Sequence, residues 1–524
     1  MKKALISVTN KQNVIDIVDV LLEEGYEIIS TGGTLQHIRE RGRSATDIER
    51  FTGFPEMFEG RIKTLHPKVH GGLLFKRDDG THRLQAEEQD ICPIDVVIVN
   101  LYDFEGTMNS GRSHEDIIEN IDIGGPSMVR SASKNYKDVL IVVDPSDYQE
   151  VAERIREGRV DLPFREKMAM KAFSLTAYYD AMISSYLIHR FKEKSEKADA
   201  PQDLASFDPF EIEYRAIPIK KAQPLRYGEN PHQKACVYDI PSERSLLSKI
   251  KQLNGKELSY NNLNDLNTAL EICRDLCDHE EIATAVIKHA TPCAVALGKT
   301  AFESYTKAYE ADPVSIFGGI IAGNGTIDEA TAKEIAKIFV EIVAARDFTD
   351  EALKILSEKS NLRLLKIDYD LPPSETVYRN ISGKMLAQTA DLDPKDGFDV
   401  VTKRSPSEEE KRDLLFAMKV VKHTRSNAVV FVKGSVTVAI GGGQTSRIWA
   451  VETALRNYPN ADLNGAVMAS DAFFPFDDCV KLVAQHGVGA IIQPGGAIRD
   501  KDSIDACDQN DISMVFTGVR HFKH

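Results

Sequence analysis

The chain is poor in several things that would narrow its class. It has one tryptophan in 524 residues, and aromatics make up only 7%. Its seven cysteines are odd in number and scattered, which excludes a complete disulfide framework and fits the reduced thiols of a cytoplasmic protein. No apolar run approaches the roughly 20 residues of a membrane span. The start, Met1-Lys-Lys-Ala-Leu-Ile-Ser-Val8, has neither a long apolar stretch nor a small-residue cleavage site, which argues against a signal peptide. Lys and Arg are outnumbered, 65 against 80 acids, and the formal net charge of -15 argues against bulk nucleic-acid binding. What is present, 42% hydrophobic and 28% charged residues, describes a soluble globular protein. A chain of this length exceeds one core, so two or more domains are expected.

Against that acidic background the string Gly60-Arg-Ile-Lys-Thr-Leu-His-Pro-Lys-Val-His-Gly-Gly72 reverses the local charge. It holds Arg61, Lys63, Lys68, His66 and His70 and no acid, between glycines and with Pro67 in its middle. Such a string is expected to be neither a plain helix nor a plain strand. It suits a pocket for an anion, a phosphate first of all. Charge alone fits a solvated basic loop; the glycines, the proline and the paired histidines favour a site.

The first half alternates strand-like and helix-like segments. Ala4–Val8, Tyr26–Ser30, Ile94–Val99 and Val139–Val143 read as strands, the last two as near-continuous aliphatic runs buried on both faces. Asn13–Glu24 has helical spacing and Gly25 as its stop, and helices are expected over Ser146–Gly158 and Phe164–Lys194. This rhythm argues for an α/β fold with a parallel sheet. The polar, aperiodic, proline-bearing stretch Ser195–Pro209 reads as a domain boundary. Beyond it, strands are expected over Thr284–Ile287, Ala428–Val432, Val436–Ile440, Ala466–Ala469, Val488–Ile492 and Met514–Phe516. Several end in small or glycine-rich turns, where ligands of open α/β sheets bind. No repeat within this half is clear enough to assert. Cys273 and Cys277, at i,i+4 with His279 close by, lack further ligands at suitable spacing and read as helix packing.

Anion-binding signals recur at strand ends. Ser7-Val-Thr-Asn-Lys11 follows the first strand, and Ser30-Thr-Gly-Gly-Thr34 follows the second with hydroxyls and free backbone N–H groups at a helix start. Neither is a Walker A loop nor G-x-G-x-x-G. Asp122-Ile-Gly-Gly-Pro-Ser127 opens a helix with Pro126 near its first position. Arg130 and Lys134 share a face of it, equally readable as a solvated basic face or as a site.

With Val99-Asn-Leu-Tyr102, these segments resemble the bifunctional phosphoribosylaminoimidazolecarboxamide formyltransferase / IMP cyclohydrolase family of purine biosynthesis, and the match runs nearly end to end. The resemblance implies an N-terminal methylglyoxal-synthase-like parallel-sheet domain, 1–197, that closes the purine ring of the formylated aminoimidazole carboxamide ribonucleotide with loss of water. It implies that Lys63, Tyr102, Asp122 and Lys134 surround the reacting groups, with Asp122 and Lys134 setting local charge and proton position. Ser7, Lys11, Ser30, Thr31, Gly32, Thr34, Arg61, Thr64, Gly124 and Gly125 would hold phosphate and base. His66 and His70 are expected to fix the loop by hydrogen bonds. The chemistry asks mainly for the reactive conformer to be held, since amide nitrogen and formyl carbon belong to one molecule.

The second half carries Lys288-His289 at the end of a strand, before Pro292. Adjacent residues of a regular strand face opposite ways, so a shared site requires that the strand end or bend there. Around the pair lie Leu225-Arg-Tyr-Gly-Glu-Asn-Pro-His-Gln233, Tyr260-Asn-Asn-Leu263, Ser315-Ile-Phe-Gly-Gly319, Thr424-Arg-Ser-Asn427, Gly443-Gln-Thr-Ser-Arg447, Ser470–Phe476 and Thr517–Phe522. These look like the formyltransferase part of the same family, here 198–524, which is built from two cytidine-deaminase-like α/β units. The resemblance implies formyl transfer from 10-formyltetrahydrofolate, with His289 as base, Lys288 assisting the leaving group and Asn427 orienting the formyl group. Arg226, Tyr227, Arg447, Phe473 and Arg520 would hold the ribonucleotide. Asn262, Phe317, Gly318, Glu341, Ile448, Pro475 and Asp478 are second-rank candidates around nucleotide or folate. Gly441–Ser446 reads G-x-G-x-x-S, but a dinucleotide fold is rejected for want of a following helix with a ribose-binding acid.

Four positions depart from the family's pattern: Asp103, Thr291, Ala294 and Arg346. Asp103 is expected to reshape the loop beside Tyr102, and Arg346 casts doubt on the loop near Glu341. Zinc is not implied, because Pro292-Cys293 lacks the second cysteine of the deaminase signature. Potassium goes with the family, as does a homodimer that shares its formyltransferase sites between subunits. The expected partners are small molecules, with neither nucleic acid nor membrane. The alternative is a nucleotide-binding protein that has lost one or both activities. Loss of Lys63 or of Lys288-His289 would signal it, and all three are present.

Overall fold

The computed structural model describes residues 1–197, 207–241, 243, 245–277, 280–392 and 397–524. His279 and 198–206, part of the expected boundary stretch, lie outside these. The chain divides into two compact units: Met1–Lys220, and Lys221–His524 apart from a few residues around Ile240 that go with the first.

In the first unit, β1 (Lys2–Val8), β2 (Tyr26–Ser30), β3 (Thr46–Asp47), β4 (Val96–Asn100) and β5 (Leu140–Val142) form one parallel sheet in the order β3-β2-β1-β4-β5. Ala4–Ile6 and Val96–Val99 are buried throughout, as strands covered on both faces must be. Helix Val14–Glu23 turns Val14, Ile17, Val18 and Leu21 inward at helical spacing and yields to Gly25 at φ 78°. Ile17 is fully buried, and truncating such a side chain costs about 2–5 kcal/mol. The expected strands and helices of this unit are present, with ends that agree or shift by at most two residues.

One expectation fails. The second part of Gly60–Gly72 is a regular helix, Pro67–Leu74. Pro67 takes the first helical turn, where its missing N–H costs nothing. His66 caps it, Nδ1 accepting the Lys68 N–H at 3.1 Å. Gly72 is required by packing, since a Cβ there would stand 2.5 Å from the Cys92 carbonyl oxygen.

Past the boundary, β6 (Lys220–Leu225) and β7 (Ala235–Asp239) pair as a ribbon. Then come β8 (Lys251–Asn254), β9 (Ile282–Lys288), β10 (Thr291–Gly298), β11 (Ile320–Ile327), β12 (Ile342–Phe348) and β13 (Arg363–Lys366), in one sheet ordered β10-β9-β11-β12-β13-β8. A second ribbon, β14 (Thr376–Ile381) with β15 (Lys384–Thr389), precedes β16 (Asp399–Val400), β17 (Val429–Val432), β18 (Thr437–Gly441), β19 (Val467–Ser470), β20 (Ala490–Gln493) and β21 (Ser513–Phe516). These last six form a sheet ordered β16-β21-β20-β19-β17-β18.

The two six-stranded sheets have one topology. The antiparallel pairs β9–β10, β9–β11 and β8–β13 match β17–β18, β17–β19 and β16–β21. The parallel pairs β11–β12 and β12–β13 match β19–β20 and β20–β21. Helices fill matching intervals, Tyr260–Asp275 with Glu408–Val421 and Ala301–Ala311 with Arg447–Asn457 among them. The agreement reaches single residues. Ser259 and Ser407 each open the first helix with a reciprocal capping box, to Asn262 and Glu410. Gly318 and Gly465, at φ 73° and 74°, donate to the carbonyls of Phe339 and Gly487, each at 2.8 Å. The second unit is therefore a duplication, joined where β10 lies along β18: Leu297 N donates to Ser435 O at 2.9 Å and Val295 N to Thr437 Oγ1 at 2.9 Å.

Candidate active sites

In the first unit the loops beyond β1, β2 and β4 converge. Lys63 Nζ lies 3.5 Å from where a Cβ on Gly32 would stand, and Lys11 Nζ lies 3.7 Å from the same point on Gly33. Two ammonium groups thus sit over the start of helix Gly32–Glu40, whose free N–H groups and dipole also favour an anion. Lys63 is partly offset by Glu56, 3.0 Å away. Thr64 Oγ1 comes within 2.7 Å of a Cβ built on Gly124, so it packs against the start of helix Gly124–Lys134. Glycine at 124 is what lets Thr64 approach, whereas Gly32 is called for by its left-handed backbone, φ 51°.

Asp122 stands at the same helix start. Its carboxylate accepts Gly125 N at 2.8 Å, and its own N–H donates to the Tyr179 hydroxyl at 2.9 Å. Burial raises its pKa above the ordinary carboxylate value, against the lowering effect of the Gly125 and Tyr102 backbone groups. A half-buried carboxyl of this kind is suited to proton transfer. Tyr102 is exposed beside it.

Other expected members are differently placed. Ser30 Oγ donates to Ile6 O at 2.7 Å, and Thr34 Oγ1 both accepts Val8 N at 3.0 Å and donates to Val8 O at 2.9 Å, so these hydroxyls tie β1 to its neighbours. Thr31 makes no cap bond to its helix. Arg61 is held by Glu119, both exposed. Lys134 lies in the last turn of helix Gly124–Lys134, about 15 Å along the axis from Asp122's end. With Arg130, Tyr136, Glu166, Met170 and Phe173 it lines a separate cavity of about 600 Å³. His66 and His70 fix structure: His66 is the helix cap, and His70 Nδ1 lies 2.9 Å from Ser131 Oγ.

In the second unit Lys288 ends β9, and His289 and Ala290 form the turn to β10, both at φ 53°. The strand ends where the sequence argument required. Lys288 Nζ donates to Phe317 O at 3.0 Å and forms no ion pair among the described residues. His289 is exposed; its N–H and that of Ala290 donate to the Asp265 carboxylate at 3.2 and 2.7 Å. Phe317 pairs with Phe339 at 5.6 Å between centroids. Glu341 N donates to Gly319 O, while Glu341 Oε2 accepts Asn262 Nδ2 at 2.8 Å and lies 3.6 Å from Arg363. Asn261 ties in the Arg226–Tyr227 loop through Glu229 O at 3.3 Å, and the Arg226 guanidinium stands 5.7 Å from the Tyr227 ring centroid.

Asn427 belongs to a second cluster. Its Oδ1 accepts Arg447 Nη2 at 2.9 Å and its Nδ2 donates to Gln444 O at 2.9 Å. Arg447 is buried; its Nη1 is held by Asp471 and by Ala428 O at 2.8 Å, and only Nε has no partner. Expected as a phosphate clamp, it first of all fixes Asn427. Ile448 follows it in helix Arg447–Asn457. The C-terminal residues close on the same loop: Ser426 N donates to Lys523 O at 2.9 Å and Lys523 N to Ser426 Oγ at 3.0 Å, with Arg520 over Phe522 at 4.3 Å. Phe473 and Pro475 precede helix Asp478–Ala484, where Asp478 Oδ1 accepts the Cys479 N–H. No hydrogen bond or ion pair among the described residues joins this cluster to the Lys288 corner.

A helix, Arg447–Asn457, follows Gly441–Ser446, but β18 before it is an antiparallel edge strand, so the dinucleotide fold fails on topology. The four departures are accommodated. Asp103 caps helix Phe104–Met108 by accepting Gly106 N at 2.8 Å; Thr291 Oγ1 donates to His289 O at 3.2 Å; Ala294 is buried in β10; Arg346 pairs with Asp370 at 3.1 Å. Cys273 and Cys277 serve helix packing, their thiols donating to Ala322 O and Cys273 O. Burial pushes the Cys293 thiol up to about 12. Asp265 escaped the sequence reading because its partners are backbone groups, which leave no residue pattern; Asp471, bound by Ser426 Oγ, Ala428 N and Arg447, escaped it because those partners lie 24 to 45 residues away along the chain.

Residues 132–457 match the family model described as AICARFT/IMPCHase bienzyme, and 13–127 match that of the MGS-like domain. Along its whole length the chain is similar to curated relatives called bifunctional purine biosynthesis protein PurH. It is 50% identical over 526 residues to that of Clostridioides difficile, 47% over 532 to that of Acetivibrio thermocellus and 46% over 525 to that of Clostridium botulinum. Each match covers 100% of both chains.

Proposed function

The chain belongs to the AICARFT/IMPCHase bienzyme family, and from that premise we propose that it carries out the last two steps of purine biosynthesis. Residues 198–524 transfer a formyl group from 10-formyltetrahydrofolate to the aminoimidazole carboxamide ribonucleotide, and 1–197 close the ring to IMP with loss of water. The observation that carries the reading is the Lys288–His289 corner, with an ammonium that forms no ion pair among the described residues and an exposed imidazole at one strand end.

The amine to be formylated is conjugated to an aromatic ring and is a poor nucleophile. His289 takes its proton during attack, and Lys288 offers positive charge to the departing folate nitrogen; each such contribution is typically ~10²–10⁴ in rate. Asn427, its amide locked by Arg447 and Gln444, orients the formyl group, and the unpartnered Nε of Arg447 is left for the nucleotide. In ring closure Lys63, Lys11, Thr64 and the two helix starts hold the nucleotide. Half-buried Asp122 manages the amide proton beside Tyr102.

In the same reading the protein is a cytoplasmic homodimer with formyltransferase sites shared between subunits. Zinc has no part, and potassium is the candidate monovalent cation. Purified protein given ribonucleotide and 10-formyltetrahydrofolate is expected to form IMP. Arrest at the formylated intermediate would overturn the ring-closing half, and absence of formylation the other. Mixing inactive Lys288→Ala and Asn427→Ala proteins should restore part of the transfer activity if sites are shared.

A further inference from the structure

The hairpin that carries His289 occurs twice. In the first copy Lys288, His289, Ala290 and Thr291 make the turn, with φ 53° at both central residues. In the second copy Lys433, Gly434, Ser435 and Val436 make it, with φ 61° at both, and Lys433 N donates to Val436 O at 3.0 Å. Positive φ at both central positions defines the type I′ turn of tight hairpins, which asks for glycine or asparagine. The second copy supplies Gly434. The first puts histidine and alanine there, each with a Cβ that disfavours this conformation.

What holds each turn is also repeated. Asp265, on helix Tyr260–Asp275, accepts the N–H groups of His289 and Ala290 at 3.2 and 2.7 Å. Asp413, at the matching place on helix Glu408–Val421, accepts those of Gly434 and Ser435 at 2.7 and 2.8 Å. The carboxylate grip is thus a property of the repeated fold. Only the first copy has put an ionisable side chain on the gripped turn and left it exposed; in the second, Ser435 is buried and its carbonyl accepts Leu297 N from β10. An imidazole on a strained two-residue turn points wherever that turn is held, and here the holder is one carboxylate.

Resting on the function proposed above, we propose that Asp265 is a positioning residue for formyl transfer, holding His289 at the reacting centre through the backbone of the turn. Two acceptor oxygens are needed for two N–H groups; an asparagine keeps one acceptor and turns an N–H against the other. Misplacing a catalytic group by about 1 Å costs ~10²-fold.

The test is steady-state transfer by full-length protein. Asp265→Asn is expected to lower kcat by ~10²-fold with the KM of both substrates within about twofold. Asp413→Asn removes the same grip from the other copy and is expected to leave kcat unchanged. In a double-mutant cycle, Asp265→Asn should add nothing to His289→Ala. Wild-type kcat in Asp265→Asn, an equal loss in Asp413→Asn, or additive losses in the cycle would each overturn the proposal. Where Asp265→Asn does not yield folded protein, Asp265→Glu is measured instead, and an undiminished kcat there overturns it. Wild-type protein without transfer, or His289→Ala with full transfer, would strike the proposed function itself.

Discussion

The two copies within the second unit differ most where they coincide best. Lys288 and Lys433 stand at equivalent strand ends, and each ammonium reaches the carbonyl of the equivalent residue in the next turn: Phe317 at 3.0 Å and Asn464 at 2.8 Å. In the second copy Asp462 also reaches Lys433, at 2.5 Å; in the first, Ser315 occupies that place. The lysine therefore begins as a brace between two turns. On the function proposed above, it becomes a chemical group where its carboxylate is missing, its neighbour is a histidine and its corner is open, so that the proposed chemistry comes from what one copy has left out.

The largest effect expected from this contrast is on activity. Lys288→Ala should abolish formyl transfer, by ~10³-fold or more, and spare ring closure of supplied intermediate. Lys433→Ala should keep wild-type transfer and lose at most about 1 kcal/mol, since its ion pair is exposed. Equal losses of transfer in both variants would dissolve the contrast.

Next comes the point where the copies face each other. Asp275 and His423, at matching ends of helices Tyr260–Asp275 and Glu408–Val421, are joined at 2.7 Å, with Lys422 Nζ 2.9 Å from the same carboxylate oxygen. Burial alone would raise Asp275, but His423 and Lys422 outweigh it and hold the carboxyl below its usual range. Burial lowers His423, only partly offset by Asp275. Both shifts are downward, so both groups bind protons more readily unfolded. Their stability is present above the unfolded pKa values, roughly 6.5 for histidine and 3.9 for aspartate, and is lost as pH falls below them. Asp275→Asn should cost about 3–5 kcal/mol; it should remove the aspartate's share of the acid loss below roughly pH 3.9 and steepen the loss that begins at roughly 6.5, because His423 then keeps its burial without the carboxylate that offsets it. A Tm that falls with acid as steeply as in wild type would show that the pair does not govern it.

The missing acid can also be restored. Ser315→Asp should let a carboxylate reach Lys288 as Asp462 reaches Lys433, lowering transfer by ~10-fold or more, while Ser315→Asn, uncharged, should not. Undiminished transfer in Ser315→Asp would mean that the free ammonium is not what matters.

Much of this was legible in the sequence, and the parts that were not share a cause. Strands buried on both faces, such as Val96–Asn100, declare themselves by composition, and glycine-rich turns after them mark site loops. The duplication was hidden because equivalent positions keep a role and not a residue type: Asn262 and Glu410 both close a capping box, and Phe317 and Asn464 both offer a carbonyl. Asp265 was invisible for the same reason, its partners being N–H groups that every residue has. Lys134, near Asp122 along the chain, is carried away from it by the helix between them, and Pro67 with its His66 cap turned an expected loop into helix.

The smallest effect is the most discriminating. Gly318 and Gly465 have the same left-handed conformation and the same bond to a carbonyl, and a Cβ on either meets nothing closer than the Phe339 ring, 3.7 Å from Gly318. Replacing either by alanine therefore carries only the conformational cost, about 1 kcal/mol, and the two Tm shifts should agree. Their consequences for transfer should not. Gly318 follows Phe317, whose carbonyl holds Lys288, so a turn that relaxes there moves the ammonium; Gly465 follows Asn464, whose carbonyl holds a lysine with no chemical task. Gly318→Ala should lower kcat severalfold and Gly465→Ala leave it alone. Matched stabilities with unmatched activities would separate what the fold repeats from what one copy does with it; a matched loss of activity would mean that the second corner takes part after all.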